Sequence, residues 1–289
     1  MSRRRIVGGV PGVAAPSPAL APFVASIGYF EGGFDHAREV ALPSGAGQLL
    51  VNLDRNELHS YHPSGEPGQR TGGAALLGPA GAPALIDPAE QRRILWVAFR
   101  PGGTYPFFGT DAAATTDRLI DLGDLWGPAG PALRERLLAT RDAAERLRLL
   151  DAALVGRAAS RLCPDRAVRA AVAALHSGRT VAATADRLGW TPRRLARLFA
   201  AHVGLAPKRF ARVRRFQRLL RAAGGGPDRT GRPDRAGRPD RAGRPDWARL
   251  AAECGYHDQA HLIHDFRELA GTTPGGYAPR PGAPNHLVP

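Results

Sequence analysis

Residues 247–277 read WARLAAECGYHDQAHLIHDFRELAGTTPGGY, and this stretch decides the fold of the second half of the chain. Trp247, Leu250, Ala251 and Cys254 recur at helical spacing and form the apolar side of a short helix. Gly255 breaks it. A second helix opens at Asp258, whose carboxylate is a natural cap for the free backbone N–H groups of a first turn. Leu262, Phe266 and Leu269 follow at spacings of four and three, on one face. Two helices about a glycine turn, the second with polar residues outward, make a helix-turn-helix.

The same arrangement occurs once more upstream. After a helix over Pro164–His176, Thr180 caps a helix from Val181 to Leu188 and Gly189 breaks it. Trp190 packs across the turn, and Thr191–Pro192 supplies a cap followed by proline at the first helical position. The next helix runs to about His202. It turns Leu195, Leu198 and Phe199 inward and Arg193, Arg194 and Arg197 outward. Gly204 and Pro207 here match Gly271 and Pro274 in the later copy, each pair as G-x-x-P. Between the copies, Pro207–Arg221 reads as a long amphipathic helix with Phe210, Val213, Leu219 and Leu220 buried. It leaves Lys208, Arg209, Arg212, Arg215 and Arg218 open to solvent or to phosphate.

An exposed arginine face is what a helix needs to enter a major groove, where arginine reads guanine edges or grips phosphates. In the later copy Gln259, Ala260, Ile263, His264 and Arg267 stand on the outward face. Gln259 suits adenine, Ala260 a thymine methyl, and Arg267 phosphate or guanine. Charge is divided to match. Residues 1–150 hold 15 arginines against 15 acidic residues, and residues 151–289 hold 25 basic against 11 acidic, the whole +14 of the chain. A basic half calls for a polyanionic partner. From Pro227 the sequence runs PDRTGR, PDRAGR, PDRAGR, PD. Proline every sixth residue forbids a continuous helix, so this reads as a tether.

The first half is neutral and rich in short strand patterns. Gln48–Asp54 follows a PSGAG turn and reads as a strand, and Ile94–Arg100 is apolar on both faces, as inside a covered sheet. Gly72–Leu77 and Ala84–Ile86 are further strands, and Ala19–Ile27 is a short helix or strand. Helical periodicity takes over at Ala112–Leu119, Pro131–Leu138 and Asp142–Val155. Trp96, Phe99, Tyr105, Phe107 and Phe108 are the aromatic residues that would line an apolar ligand pocket, and they would serve equally as core. His59 and His62 have no third ligand in register and read as surface histidines. No metal site, cofactor site or catalytic residue is assigned, and Cys163 and Cys254 read as inert core thiols. No run of eighteen apolar residues and no signal-like start are present, which gives a cytoplasmic protein with no membrane partner.

With both units laid out, the C-terminal half resembles the DNA-binding domain of the AraC/XylS family of bacterial transcription regulators. The resemblance covers 164–278. It is carried above all by Gly255, Tyr256, Asp258, Gln259, His261, Leu262, Phe266, Arg267, Gly271, Thr273, Pro274 and Tyr277. His264 departs from the basic residue usual there, and the repeat is an insertion. The first half is similar to the sensor domain of a subset of these regulators in LPSGAGQLLVNL at 42–53, VAFRPGGTYPFFG at 97–109 and LIDLGDLWG at 119–127.

The basic start reads as a disordered leader at 1–18, and the many short strands between Gly/Pro turns suggest a small barrel or jelly roll. The resemblance implies an α+β two-domain chain with a cupin-like β-barrel and flanking helices at 19–158. An all-α tandem helix-turn-helix domain follows at 164–278. It divides into a first unit at 180–203, a linker helix at 207–221, a flexible insertion at 224–246 and a second unit at 247–271, with a tail at 279–289. It also implies a sequence-specific regulator of transcription that binds double-stranded DNA in successive major grooves. A small-molecule effector, a homodimer and RNA polymerase would be its other partners. Two alternatives stay open: a DNA-modifying or repair enzyme fused to this module, and an N-terminal domain that serves only protein–protein contact.

Overall fold

The apolar run RILWVAF lies between two partners in the middle of an antiparallel sheet, which accounts for its lack of a polar face. The computed structural model describes residues 6–7, 12–34, 36–62, 64–158, 165–223, 245–280 and 283–288. Leader residues 1–5 and 8–11, Cys163, and residues 224–244 of the expected insertion lie outside the described residues.

Among the described residues the first strands are β1 (Ile6–Val7), β2 (Gly12–Ala14), β3 (Val24–Glu31), β4 (Gly33–Phe34) and β5 (Glu39–Ala41). They are followed by β6 (Gln48–Asn52), β7 (Glu57–Tyr61), β8 (Pro67–Gly72), β9 (Ala74–Leu77), β10 (Ala84–Ile86), β11 (Arg93–Phe99) and β12 (Leu119–Asp121). β13 (Pro279–Arg280) and β14 (Ala283–Leu287) come at the other end of the chain. Two six-stranded sheets result, ordered β12-β9-β6-β11-β3-β2 and β13-β14-β5-β10-β7-β8, with β1 and β4 as a separate pair.

Helices α1 (Tyr105–Phe108), α2 (Ala112–Thr115), α3 (Leu122–Trp126), α4 (Ala129–Ala139) and α5 (Ala143–Ala158) follow the strands. Leu49, Val51, Leu95, Val97 and Phe99 bury one sheet face against Leu122, Trp126, Leu137, Leu150 and Leu154. The opposite face turns toward the second sheet, where Ile94 and Ala75 join Leu58 of β7.

The sheets are open, so the expected barrel is corrected to a two-sheet α+β arrangement. Where β8 approaches β12, side chains stand in place of a closing ladder. Gln69 Nε2 donates to the Asp117 carbonyl at 2.9 Å and its Oε1 accepts from Leu119 N at 2.7 Å. Asp121 accepts from Thr71 Oγ1 and from Gly72 N. Two further corrections concern the ends. Residues 12–14, placed in the expected leader, pair with Ile27–Tyr29 as an edge strand. The expected tail carries β13 and β14, and β14 pairs with β5 because Leu287 finds a buried position beside Val40 and Leu42. The helix expected at 112–119 stops at Thr115. Asp117 turns to φ 55° and its carboxylate accepts from Gly81 N and Ala82 N, a backbone conformation that aspartate tolerates better than most residues.

The remaining helices are α6 (Arg166–His176), α7 (Val181–Arg187), α8 (Pro192–Val203), α9 (Pro207–Ala223), α10 (Trp247–Cys254) and α11 (Gln259–Ala270). One apolar cluster runs through all of them and includes Leu42 and Leu287 of the sheet region. Contact with the first half is specific. Gln217 Nε2 donates to the Pro43 carbonyl at 2.7 Å, Arg214 Nη1 to the Ser44 carbonyl at 3.0 Å, and Thr116 Oγ1 to the Gly204 carbonyl at 2.7 Å. Gly204 sits at φ 90°, and a Cβ there would meet Pro79. The PSGAG turn ahead of β6 is therefore the seat of α9.

Candidate nucleic-acid interface

In the first unit, Thr180 caps α7 by accepting from Ala183 N, and Thr191 caps α8 by accepting from Arg194 N. Gly189 between them has φ 63°, where a side chain would be strained. Leu195, Phe199 and Val203 bury the inner face of α8, which leaves Arg193, Arg194 and Arg197 exposed. No ion pair joins these three to any of the described residues. Arg194 lies over the Trp190 ring, 5.2 Å from its centroid, so the turn tryptophan orients an outward arginine.

The second unit repeats the construction with Asp246 and Asp258 as caps. Gly255 at φ 81° and Gly271 at φ 67° correspond to Gly189 and Gly204. Gln259, Ala260, His264 and Arg267 are exposed, and Ile263 is half-buried. His264 Nε2 lies 3.4 Å from Glu268. The two units differ in charge. Residues 180–203 carry Arg187, Arg193, Arg194 and Arg197 against Asp186, whereas residues 247–271 carry Arg249 and Arg267 against Glu253, Asp258, Asp265 and Glu268. The first unit is net positive and the second net negative with neutral histidines.

The arginines of α9 are used inside the molecule far more than their spacing indicates. Lys208 is exposed, and Arg209 donates to the Gly81 carbonyl at 3.2 Å and stands 3.9 Å from Asp117. Arg212, expected on the open face, is corrected to a partly buried ion pair. Its Nε lies 2.6 Å from Asp265 Oδ1 and its Nη1 2.6 Å from Glu268. Burial alone would lower its pKa, but hydrogen bonds to the two carboxylates outweigh this and hold it above the ordinary arginine value. Arg215 and Arg218, read as open, are partly buried too. Arg215 reaches Asp265 Oδ2, and Arg218 donates to the His176 carbonyl. Arg214 is pushed down to about 10 by burial and then by Arg221 and Arg218, and it stays a cation at neutral pH.

Asp265 is the site residue that sequence reasoning missed. Helical spacing places it beside Phe266 without showing what it faces. A signal was present all the same. Arg212 and Arg215 stand three apart on one helix, and Asp265 and Glu268 three apart on another, which is a matched pair of charge spacings.

The five aromatic residues divide between core and partly or largely exposed positions. Phe99, Phe107 and Phe108 are core rings, with centroids 5.3 Å apart for Phe99 and Phe107 and 5.7 Å for Phe99 and Phe108. Trp96 lies on the bare backbone of Gly28, and Tyr105 packs against His202 of α8, 5.6 Å between centroids. Phe99, Phe107 and Phe108 join the core cluster at this end of the sheet together with Trp126 of α3. An open cleft of about 630 Å³ lies elsewhere, lined by Glu31, Phe34, Asp54, Arg92 and Arg93. A smaller one of about 260 Å³ lies by Trp126, Leu133, Arg136 and Arg157. His59, read as a surface residue, is partly buried, with Nδ1 3.2 Å from Glu90 and Nε2 3.5 Å from Glu57. Among the described residues no group of three or more His, Cys, Asp or Glu could hold a metal ion. No described helix is long and apolar enough to cross a membrane.

Residues 13–121 match a family model described as Domain of unknown function (DUF6597). The matched segment runs from β2 to β12, so it takes in most of both sheets and stops ahead of α3. No curated protein and no solved structure matches the chain.

Proposed function

We propose that the chain is a sequence-specific double-stranded DNA-binding regulator of transcription of the AraC/XylS type. In this reading α8 and α11 read two successive major-groove segments. The observation that carries the proposal is the face of α8. Arg193, Arg194 and Arg197 are exposed together on a helix whose opposite side is fully packed, with Thr191 fixing its first turn. A second capped helix of the same construction supports it, and so does the concentration of the whole net charge in residues 151–289. The first unit supplies most of the phosphate grip, and the second reads bases through Gln259, Ala260 and Arg267 with little net charge.

Arg194→Ala and Gln259→Ala are expected to weaken a preferred duplex by about tenfold, the cost of one lost base contact, and random duplex by much less. Competition titrations of the two duplexes measure this, and equal losses on both would remove the base-reading assignment. The N-terminal domain is also in direct contact with the DNA-reading half of the same chain. That domain grips α8 and α9 through Pro43, Ser44, Gly81 and Thr116. Its effect on DNA reading would then be exerted by holding the first unit in place.

A further inference from the structure

We infer that Asp265 is a positioning residue that sets the distance and angle between the two DNA-reading helices, so that the protein accepts two half-sites only at one separation. The inference rests on the DNA-reading function proposed above. It begins from the placement of the second unit against α9. α9 ends at Ala223 and α10 starts at Trp247. The sequence between them has prolines at 227, 233, 239 and 245. Among the described residues the second unit is placed by its contacts with α9.

It touches α9 in two ways. The first is apolar. Phe266 meets Phe216 edge-on with ring centroids 5.0 Å apart, and Leu250, Leu262, Leu219 and Leu220 are fully buried in the same cluster. Burial of this kind is strong, but the hydrophobic effect behind it is non-directional and discriminates less sharply between near alternative orientations than a hydrogen-bonded ion pair does. The second contact is directional. Asp265 has no exposed surface, and its two oxygens are shared between two arginines of α9: Oδ1 with Arg212 Nε at 2.6 Å and Oδ2 with Arg215 Nη2 at 3.2 Å. The same Arg215 Nη2 lies 2.8 Å from His261 Nε2, and the Arg215 guanidinium stacks over the Tyr256 ring at 4.6 Å. Arg212 extends to Glu268 one turn along α11. Four points on the second unit (Tyr256, His261, Asp265 and Glu268) are thus tied to two arginines one turn apart.

A fork-shaped cation shared by a buried carboxylate fixes orientation as well as distance. Such buried ionic groups are weak sources of stability, and their best-attested use is to select one register over near alternatives. Here the register is the rotation of α11 about α9, and with it the direction in which Gln259 and Arg267 point.

The test compares a duplex carrying both half-sites at the preferred separation with duplexes in which two or five base pairs are inserted between them, and with a duplex carrying only the half-site of the first unit. The full-length wild type is expected to lose about tenfold in affinity or more on either insertion, since the second contact then stops adding to the first. Asp265→Asn is expected to bind the single half-site as the wild type does, but to lose no more than about twofold on insertion. Its binding to the uninterrupted site should also be weaker, because the second unit must now be ordered at the moment of binding. If Asp265→Asn distinguishes the separations as sharply as the wild type, the inference is overturned, as it is if the wild type shows no preference among them. If Asp265→Asn loses the single half-site too, it is unfolded. Arg215→Lys, which keeps both charges and removes only the fork, then decides on the same criterion. A wild type that binds none of the duplexes better than random DNA defeats the DNA-reading proposal itself, a result distinct from all the others.

Discussion

Thr191 and Asp258 occupy equivalent places in the two units, each accepting from a backbone N–H three residues on. Thr191→Ala should lower unfolding stability by about 1 kcal/mol, the ordinary worth of such a cap, and urea titration measures it. Asp258 adds a pH dependence. Its carboxyl is held below the usual carboxylate range, first by the His261 backbone N–H and then by His257. A depressed carboxylate contributes its stability above the pKa it has in the unfolded chain, and that contribution is lost as pH falls through the lowered folded value. Stability should therefore decline at the acid end in the wild type, and Asp258→Asn, which still caps, should lose that part of the decline. An unchanged acid profile in the Asn variant would contradict it. Both caps were legible in the sequence because capping is a local matter between a residue and the next turn. Asp265 was not, because its partners Arg212 and Arg215 lie on another helix some fifty residues earlier and only the fold brings them together.

Elements were legible in proportion to how far their own residues decide them. β6 and β11 carry apolar residues that must be covered, and α8 and α11 carry both caps and a periodic apolar face. β7 and β8, ELHSY and PGQRTG, offer no such pattern; β8 is an edge strand, and much of it faces solvent. β14 escapes such a reading for a different reason, since it pairs with the edge of β5, with His286 opposite Ala41 and Leu287 opposite Val40, from the far end of the sequence. Ending the chain after Ala278 removes β13 and β14, exposes Val40 and Leu42, and deprives buried Glu39 of His286, 2.9 Å away. The truncated protein should unfold at a clearly lower denaturant concentration than the full chain. Coincident transitions would mean that β14 contributes nothing to the core it touches. The aromatic run at 96–108 shows the opposite limit. Its composition suited a pocket and a core equally, and packing among β11, α1 and α3 places Phe99, Phe107 and Phe108 in the core.

At the scale of the whole molecule, a neutral half holds a basic one. The N-terminal sheets seat α9 on the turn at 43–47 and take up the end of the chain as β14, while the +14 charge stays with residues 151–289. That division was plain in the sequence, since charge is additive and needs no fold to be counted. Its use was not: Arg209, Arg212, Arg214, Arg215 and Arg218 make internal contacts, while Arg193, Arg194 and Arg197 of α8 stay exposed together. The central claim is that this surface, together with α11, reads duplex sequence. Selection of bound duplexes from a random library by the purified full-length protein tests it most directly. Enrichment of two short motifs at one fixed separation is expected. Recovery of a library indistinguishable from the input would contradict it.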